Sequence, residues 1–284
     1  MTDLSVLVNT RDRAASLRRL LGSLAEVDVD GISVEVVVVD NASSDDTPRV
    51  VADAAASCSY PVHYAHEPTP GASRAKNTGL RLARGRLLAF TDDDCVVEPT
   101  YARAVVEAFA LERFDYCGGR SLLLDPADAP YAIKPSTSFR LIPPRSFVPA
   151  GAVLGLNMAW RAEVVRSLGG FDPMFGPGTP YRGDEIDLCA RASHAGHWGA
   201  FVPSILVYHG HGRKPGSSEL RENQRGDDVA RGAYYASCLL RGRLEYIPGW
   251  IRTSWRHRDQ YAIGAEVGGA VRYTLDRLRR MPST

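Results

Sequence analysis

The chain has 284 residues, 44% hydrophobic and 24% charged, with 34 Lys and Arg against 33 Asp and Glu. This is the composition of an ordinary globular protein long enough to bury a large core, and a formal net charge of +1 gives no global electrostatic case for a nucleic-acid partner. Five cysteines scattered without Cys-x-x-Cys spacing (Cys58, Cys95, Cys117, Cys189, Cys238) argue against a disulfide frame or zinc site and predict reduced core thiols.

Ser5 to Asn9 reads as a short buried strand, and Asp12 to Val27 as a helix with Leu17, Leu20, Leu21 and Leu24 on one face. Glu35 to Val39 is β-branched and almost continuously apolar, the pattern of a central parallel strand. It ends in the polar turn Asp40 to Thr47, and Pro48 suits the opening of a helix. Val62 to Ala65 is a weaker strand, Ser73 to Ala83 a helix, and Leu87 to Phe90 a fourth strand. Strands alternating with helices predict an α/β fold with a mainly parallel, doubly wound sheet. Ligands of such sheets bind beyond the carboxyl ends of the strands. Asn9, Asp40 and Asp92 all fall at such ends, so three polar clusters are expected to share one crevice.

The second half is less regular. Cys117 to Leu124 and Gly151 to Trp160 read as strands on either side of a Pro-rich surface loop, Pro126 to Pro149. Ala162 to Leu168 is a short helix, and Gly176 to Pro180 an irregular loop. Asp184 to Ala195 is a helix whose acidic start suits the positive end of its dipole. Ile205 to Tyr208 is a strand leading to His209-Gly210-His211, and from Ser217 onward the chain is Arg-rich and mostly helical. Nothing at the N-terminus reads as a leader, and no apolar run approaches the ~20 residues needed to span a bilayer, so the expected location is the cytoplasm.

The most informative feature is Asp92-Asp93-Asp94, directly after the fourth strand. A buried strand ending in carboxylates is costly unless positive charge arrives, so the cluster reads as a cation site. On an extended chain Asp92 and Asp94 point the same way, a geometry suited to a divalent metal carrying a diphosphate. The alternative is a solvated acidic turn.

Several segments then carry a resemblance. Val39 to Thr47 resembles the nucleotide-binding turn of inverting family 2 glycosyltransferases, and Gly71 to Gly79 the segment that follows it there. Phe90 to Asp94 is similar to that family's Asp-x-Asp strand end; Gly155 to Arg161 and Gly169 to Asp172 resemble its acceptor side, and Gly183 to Leu188 its catalytic helix start. The matches run in family order from about residue 5 to residue 213. The resemblance implies the GT-A fold, a Rossmann-like sheet flanked by helices, a nucleotide-diphospho-sugar donor, a hydroxyl acceptor and Mn²⁺ or Mg²⁺. The expected division is a GT-A domain over 1–215 (nucleotide-binding half 1–100, acceptor-binding half 101–215) and a helical extension over 216–284.

Residue by residue, Thr10 and Asp12 fall on the donor side, with Asp12 alternatively capping the first helix. Asp40 could accept from the imide N–H of uracil or thymine, favouring UDP- or dTDP-sugars, or could cap its own turn through Asn41 and Ser43. Arg74 and Lys76 are suited to phosphate or base oxygens, or to a solvated face. The resemblance assigns Asp92 to the ribose, Asp93 to the sugar and Asp94 to the metal, whose Lewis acidity would neutralise the leaving diphosphate. It also implies a histidine ligand: His209 is favoured, with His211, two residues on, able to serve or assist. Direct displacement needs a base, for which Glu185 ranks ahead of Asp184, the latter alternatively an N-cap. Asn157, Trp160 and Asp187 are placed on the sugar and acceptor side, although Trp160 also suits the core and Asp187 an i,i+4 pair with Arg191. Gly151 and Gly155 would let a sugar approach the backbone, and Pro126 to Pro149 and Gly210 to Gly226 are expected lids. The Arg-rich tail, with Tyr234, Tyr235, Trp250, Trp255 and Tyr273, suits an anionic membrane surface or simple packing. A sugar-1-phosphate nucleotidyltransferase is disfavoured because Asn9 to Arg13 lacks glycine; a noncatalytic nucleotide-sugar-binding module is the remaining alternative.

Overall fold

Two almost unbroken apolar runs form the centre of the sheet. In the computed structural model, which describes residues 2–111 and 113–280, β1 (Leu4–Thr10) and β2 (Val34–Asp40) lie side by side in parallel register. Helix α1 (Ala14–Ala25) connects them and buries Leu17, Leu20, Leu21 and Leu24. Helix α2 (Thr47–Ser57) leads to β3 (Val62–His66), outside β2. Helix α3 (Ala72–Leu82) then carries the chain back to β4 (Leu87–Asp92), on the other side of β1. This order, β3-β2-β1-β4, makes β1 the point where the winding reverses, and a crevice opens at its carboxyl end.

From there the sheet is mixed. Short β5 (Cys95–Val97) is followed by α4 (Tyr101–Leu111), β6 (Tyr116–Leu123), β7 (Arg140–Ile142), β8 (Asn157–Arg161), α5 (Ala162–Ser167), α6 (Asp184–Ala195) and β9 (Gly199–His209). The full order is β3-β2-β1-β4-β8-β6-β9-β5, with β7 also on β9. Strand β8 runs antiparallel to both β4 and β6, whereas β6 and β9 are parallel. Three elements were not expected: β5, β7 within the Pro-rich loop, and α4. The last carries a plain helical stripe of buried Tyr101, Ala102, Val105, Ala108 and Phe109.

The extension is α7 (Ser218–Leu240), α8 (Tyr246–Arg256) and α9 (Ile263–Arg279). Its buried Tyr234, Tyr235, Tyr246 and Tyr273 join the core cluster of Val148, Trp160, Phe175 and Leu188, so it shares the core of the preceding half. Helices α7 and α9 meet backbone to backbone at two glycines. A Cβ on Gly232 would lie 1.7 Å from the Glu266 carbonyl oxygen, and one on Gly269 2.1 Å from that of Val229.

That crossing gives a paired prediction. Gly232→Ala should lower stability by about 1–3 kcal/mol through overpacking. Gly268→Ala, whose added methyl meets nothing within 4 Å, should raise it by about 0.5–1 kcal/mol through helix propensity. Urea denaturation of both variants reads the difference.

Candidate active site

The acidic triplet sits where β4 ends and is held by its neighbours. Asp93 and Asp94 are buried. Thr10 Oγ1, at the end of β1, donates to Asp93 Oδ2 at 2.7 Å. Arg13 Nη1 bridges Asp93 Oδ1 at 3.0 Å and Asp94 Oδ2 at 2.9 Å. Pairing of β5 with β9 sets Cys95 opposite His209, which brings the ring beside Asp94: Nε2 lies 3.4 Å from Oδ1. That oxygen and His209 Nδ1 are both buried without a hydrogen-bond partner. Burial, reinforced by Asp94, pushes the Asp92 pKa up. Burial likewise takes Asp93 up to about 6, with Arg13 opposing. At Asp94 burial is outweighed by His209 and Arg13, which hold the pKa well below the carboxylate range.

Helix α6 supplies the facing wall. Gly183 turns the chain through a left-handed conformation (φ +90°), and Asp184 and Glu185 follow in the first turn. Asp184 is buried and accepts a 2.6 Å ion pair from Lys76 Nζ, reaching across from α3. Burial works against the Lys76 charge, but Asp184, Asp92 and Glu185 more than offset it. The Glu185 carboxylate makes no hydrogen bond or ion pair among the described residues. Burial, then repulsion from Asp184, pushes its pKa up to about 8. A Cβ on Gly155 would stand 3.6 Å from Glu185 Oε2, so this glycine keeps the space before the carboxylate open.

These groups line one cavity of about 1020 Å³, together with Thr10, Arg13, Lys76 and His209. Carboxylates outnumber the cations that pair with them, since Asp184 takes Lys76 and Asp93 and Asp94 share Arg13. The donor set fits Mg²⁺ or Mn²⁺: the buried Asp94 Oδ1, without a hydrogen bond, faces the buried His209 imidazole through Nε2. Among the described residues no three His, Cys, Asp or Glu side chains converge into a complete site. Asp94 and His209 would therefore hold the ion jointly with ligand oxygens and water.

Other expected residues are placed elsewhere. His211 lies beyond the end of β9, so strand alternation does not govern it; Nδ1 accepts from the Arg213 N–H and Nε2 contacts the Ala129 carbonyl at 3.0 Å, leaving neither for a metal. Trp160 is fully buried and stacked on Tyr116, in the core rather than on the cavity wall. The register of β6 and β9 slips between Gly119 and Arg120, and Asn157 Nδ2 satisfies the freed Arg120 and Ile205 carbonyls, a structural role. Asp187 is buried between Arg191 Nε at 2.8 Å and Arg241 Nη1 at 2.5 Å, the first being the expected i,i+4 pair and the second tying α6 to the end of α7. Asp40 is buried off the cavity wall with both oxygens taken, by the Ser43 N–H and the Tyr64 hydroxyl, which is the turn-capping alternative. That removes the residue on which a uracil or thymine preference rested. Asp12 caps no helix: it accepts from the Ser44 N–H and hydroxyl, while Asp45 accepts the Ala14 N–H at the start of α1. Arg74 is exposed on α3 and does not line the cavity.

Residues that sequence reasoning passed over complete the site. Arg13, to which neither the expected first helix nor the glycine-free turn assigns a role, is the cation on the triplet. Tyr131 and Arg182 form a cavity wall with Asn223, Asp227 and Arg231 of α7, and Gln260 and Tyr261 from the α8–α9 turn. Tyr131 donates to Asp227 Oδ2 at 2.7 Å, joining the expected lid loop to the extension. Only the tertiary fold brings these segments together.

A mixed sheet of this order, with a cavity of clustered carboxylates at its winding reversal, defines the GT-A class. A mannosyltransferase from Pyrobaculum calidifontis, solved with GDP-Man and Mn²⁺, superposes with a TM-score of 0.67 over 99% of this chain and 76% of its own, at 19% identity. Staphylococcus aureus TarS residues 1–349, solved with UDP-GlcNAc, gives 0.58 over 99% of this chain and 93% of its own, at 16% identity. The glycosyl transferase family 2 model matches residues 5–138. Pre-mycofactocin glycosyltransferase of Mycobacterium tuberculosis is 28% identical over 250 residues, 82% of this chain and 46% of that protein. The chain therefore spans about half the length of that relative, and its resemblance to glycosyltransferase family 2 lies over residues 5–138.

The Lys76–Asp184 pair carries its own prediction. Lys76→Met leaves a buried carboxylate without its cation and should cost about 3–5 kcal/mol. Lys76→Met with Asp184→Leu should recover most of that loss, as chemical denaturation at neutral pH would measure.

Proposed function

We propose that the protein transfers a sugar from a nucleotide-diphospho-sugar to an acceptor hydroxyl with inversion, Glu185 acting as the general base. The observation carrying this reading is an unpaired carboxylate with a raised pKa, sharing one cavity with the Asp94–His209 pair. A base must be free to take a proton; Asp184 is committed to Lys76, whereas Glu185 is not. The donor class is supported by the nucleotide sugars bound in the two structural neighbours, and the metal by the Mn²⁺ in one of them.

The Asp92–Asp94 end of the cavity would receive the diphosphate, and Asp94 and His209, both lining it, would hold the ion. The ion, when bound, supplies Lewis acidity to the leaving diphosphate. Asp92 and Asp93 hold the ribose and sugar side, with Thr10 and Arg13 fixing the position of Asp93. Lys76 keeps Asp184 in place beside the reacting centre. The acceptor enters along the α7 wall, and its hydroxyl proton passes to a Glu185 carboxylate oxygen as the oxygen attacks the anomeric carbon. Peripheral contact with a membrane through the extension belongs to the same reading.

A panel of nucleoside-diphospho-sugars with Mn²⁺ tests it: one donor should raise the melting temperature, and its transfer product should have the inverted anomeric configuration by NMR. Glu185→Gln should lower kcat by about 10²–10⁴-fold while leaving donor binding intact. Because the base must be ionised, kcat/KM of the native protein should fall as pH drops through about 8. Stability runs the other way. A carboxyl whose pKa rises from 4.5 to about 8 on folding stabilises the native state below pH 4.5, and that contribution is lost as pH rises through about 8. Glu185→Gln should therefore melt above the native protein at pH 9.

A further inference from the structure

Two helices of the extension each turn an apolar row outward. On α8, Ile247, Ile251 and Trp255 recur every fourth residue and are 40%, 64% and 69% exposed. On α9, Ile263, Val267, Val271 and Leu275 do the same, and Leu278 continues the row. The opposite side of each helix makes the packing: α8 buries Tyr246 and Gly249, and α9 buries Gly269, Ala270 and Tyr273. Most large hydrophobics this exposed lie in these helices or the turn before them. The aromatic residues that suggested a surface role in the sequence are mostly packed instead. Tyr234, Tyr235 and Tyr273 are fully buried, Trp250 stacks on Tyr235, and Trp255 alone is open.

Positive charge borders the rows. Arg252, Arg256, Arg258 and Arg280 are exposed and make no ion pair among the described residues. Exposed aliphatic rows with a tryptophan and unpaired arginines match the interface of an anionic bilayer, where apolar groups enter the acyl boundary and guanidinium groups meet phosphate. A second copy of the chain is less favoured, because unpaired positive charge bordering the rows calls for an anionic partner, which a chain of near-zero net charge is not. No described helix is long and apolar enough to cross a membrane, so α8 and α9 would lie in its plane.

We infer that the outward faces of α8 and α9 form a docking surface for anionic lipid. This rests on the peripheral contact in the proposed function and gives it residues and a lipid charge.

The test is sedimentation of the full chain with vesicles of phosphatidylcholine alone or mixed equally with phosphatidylglycerol. The chain should partition onto the anionic vesicles, less so at high salt, with a blue shift in emission that Trp255→Phe removes. Ile251→Glu with Val271→Glu should weaken partition at least about 10-fold. Loss of Arg252 and Arg256, each to Gln, should weaken it about five-fold apiece. These positions do not line the cavity, so each variant should keep the Mn²⁺-dependent thermal shift with the nucleotide sugar. Loss of that shift in the native chain would count against the transferase reading alone. No preference for anionic vesicles, or unchanged partition of the Glu variants, overturns the surface. So does a dimer in sedimentation velocity that the Glu variants abolish.

Discussion

Everything at the site depends on how negative charge is held at the tip of β4. Carboxylates cannot be gathered in a half-closed cavity without cations, because each would be driven to protonate. The fold supplies two: Arg13 from the loop after β1 straddles Asp93 and Asp94, and Lys76 from α3 meets Asp184. These are not enough. Asp92 and Glu185 carry raised pKa values, and Asp94 Oδ1 faces His209 without a hydrogen bond. The remaining imbalance is what a divalent ion would relieve, leaving it able to take the oxygens of a phosphorylated ligand as well.

The sheet explains why these charges meet. Strands β1, β2 and β4 are parallel, so Thr10, Asp40 and Asp92 end at one edge. The antiparallel insertion of β8 and the β5–β9 pairing then bring His209 from far along the chain to the same edge. The loops after β1 and β2 clasp each other through Asp12–Ser44 and Asp45–Ala14, which holds the Arg13 turn in place. Asp40 belongs to this scaffold, since its bonds to Ser43 and Tyr64 fix the second loop.

The parallel half was legible because its signals are local. Continuous apolar runs, helix-spaced leucines and a charged strand end read directly into β1, β2, α1 and β4, and the acidic start of α6 was found at Asp184. Signals failed where structure is set at a distance. Strand β9 begins at Gly199, but Pro203 and the register slip against β6 masked its first half. Trp160 and Asn157 lie in a segment that resembles an acceptor site, yet one fills the core and the other repairs the bulge. The exposure of α8 and α9 was equally hidden, since an apolar row at helical spacing ordinarily marks a buried face.

The extension is both part of the core and part of the cavity. Its tyrosines share a core cluster with Leu188 of α6, Asp187 pins Arg241, and residues of α7 line the cavity. The central claim remains the doubly charged ion at Asp94 and His209. Electron paramagnetic resonance of Mn²⁺ titrated into the protein with a nucleoside diphosphate tests it most directly. The account predicts one bound ion in the native chain and at least about a ten-fold weaker site in both Asp94→Ala and His209→Ala, each still folded. Equal Mn²⁺ affinity in the native and Asp94→Ala proteins would contradict it.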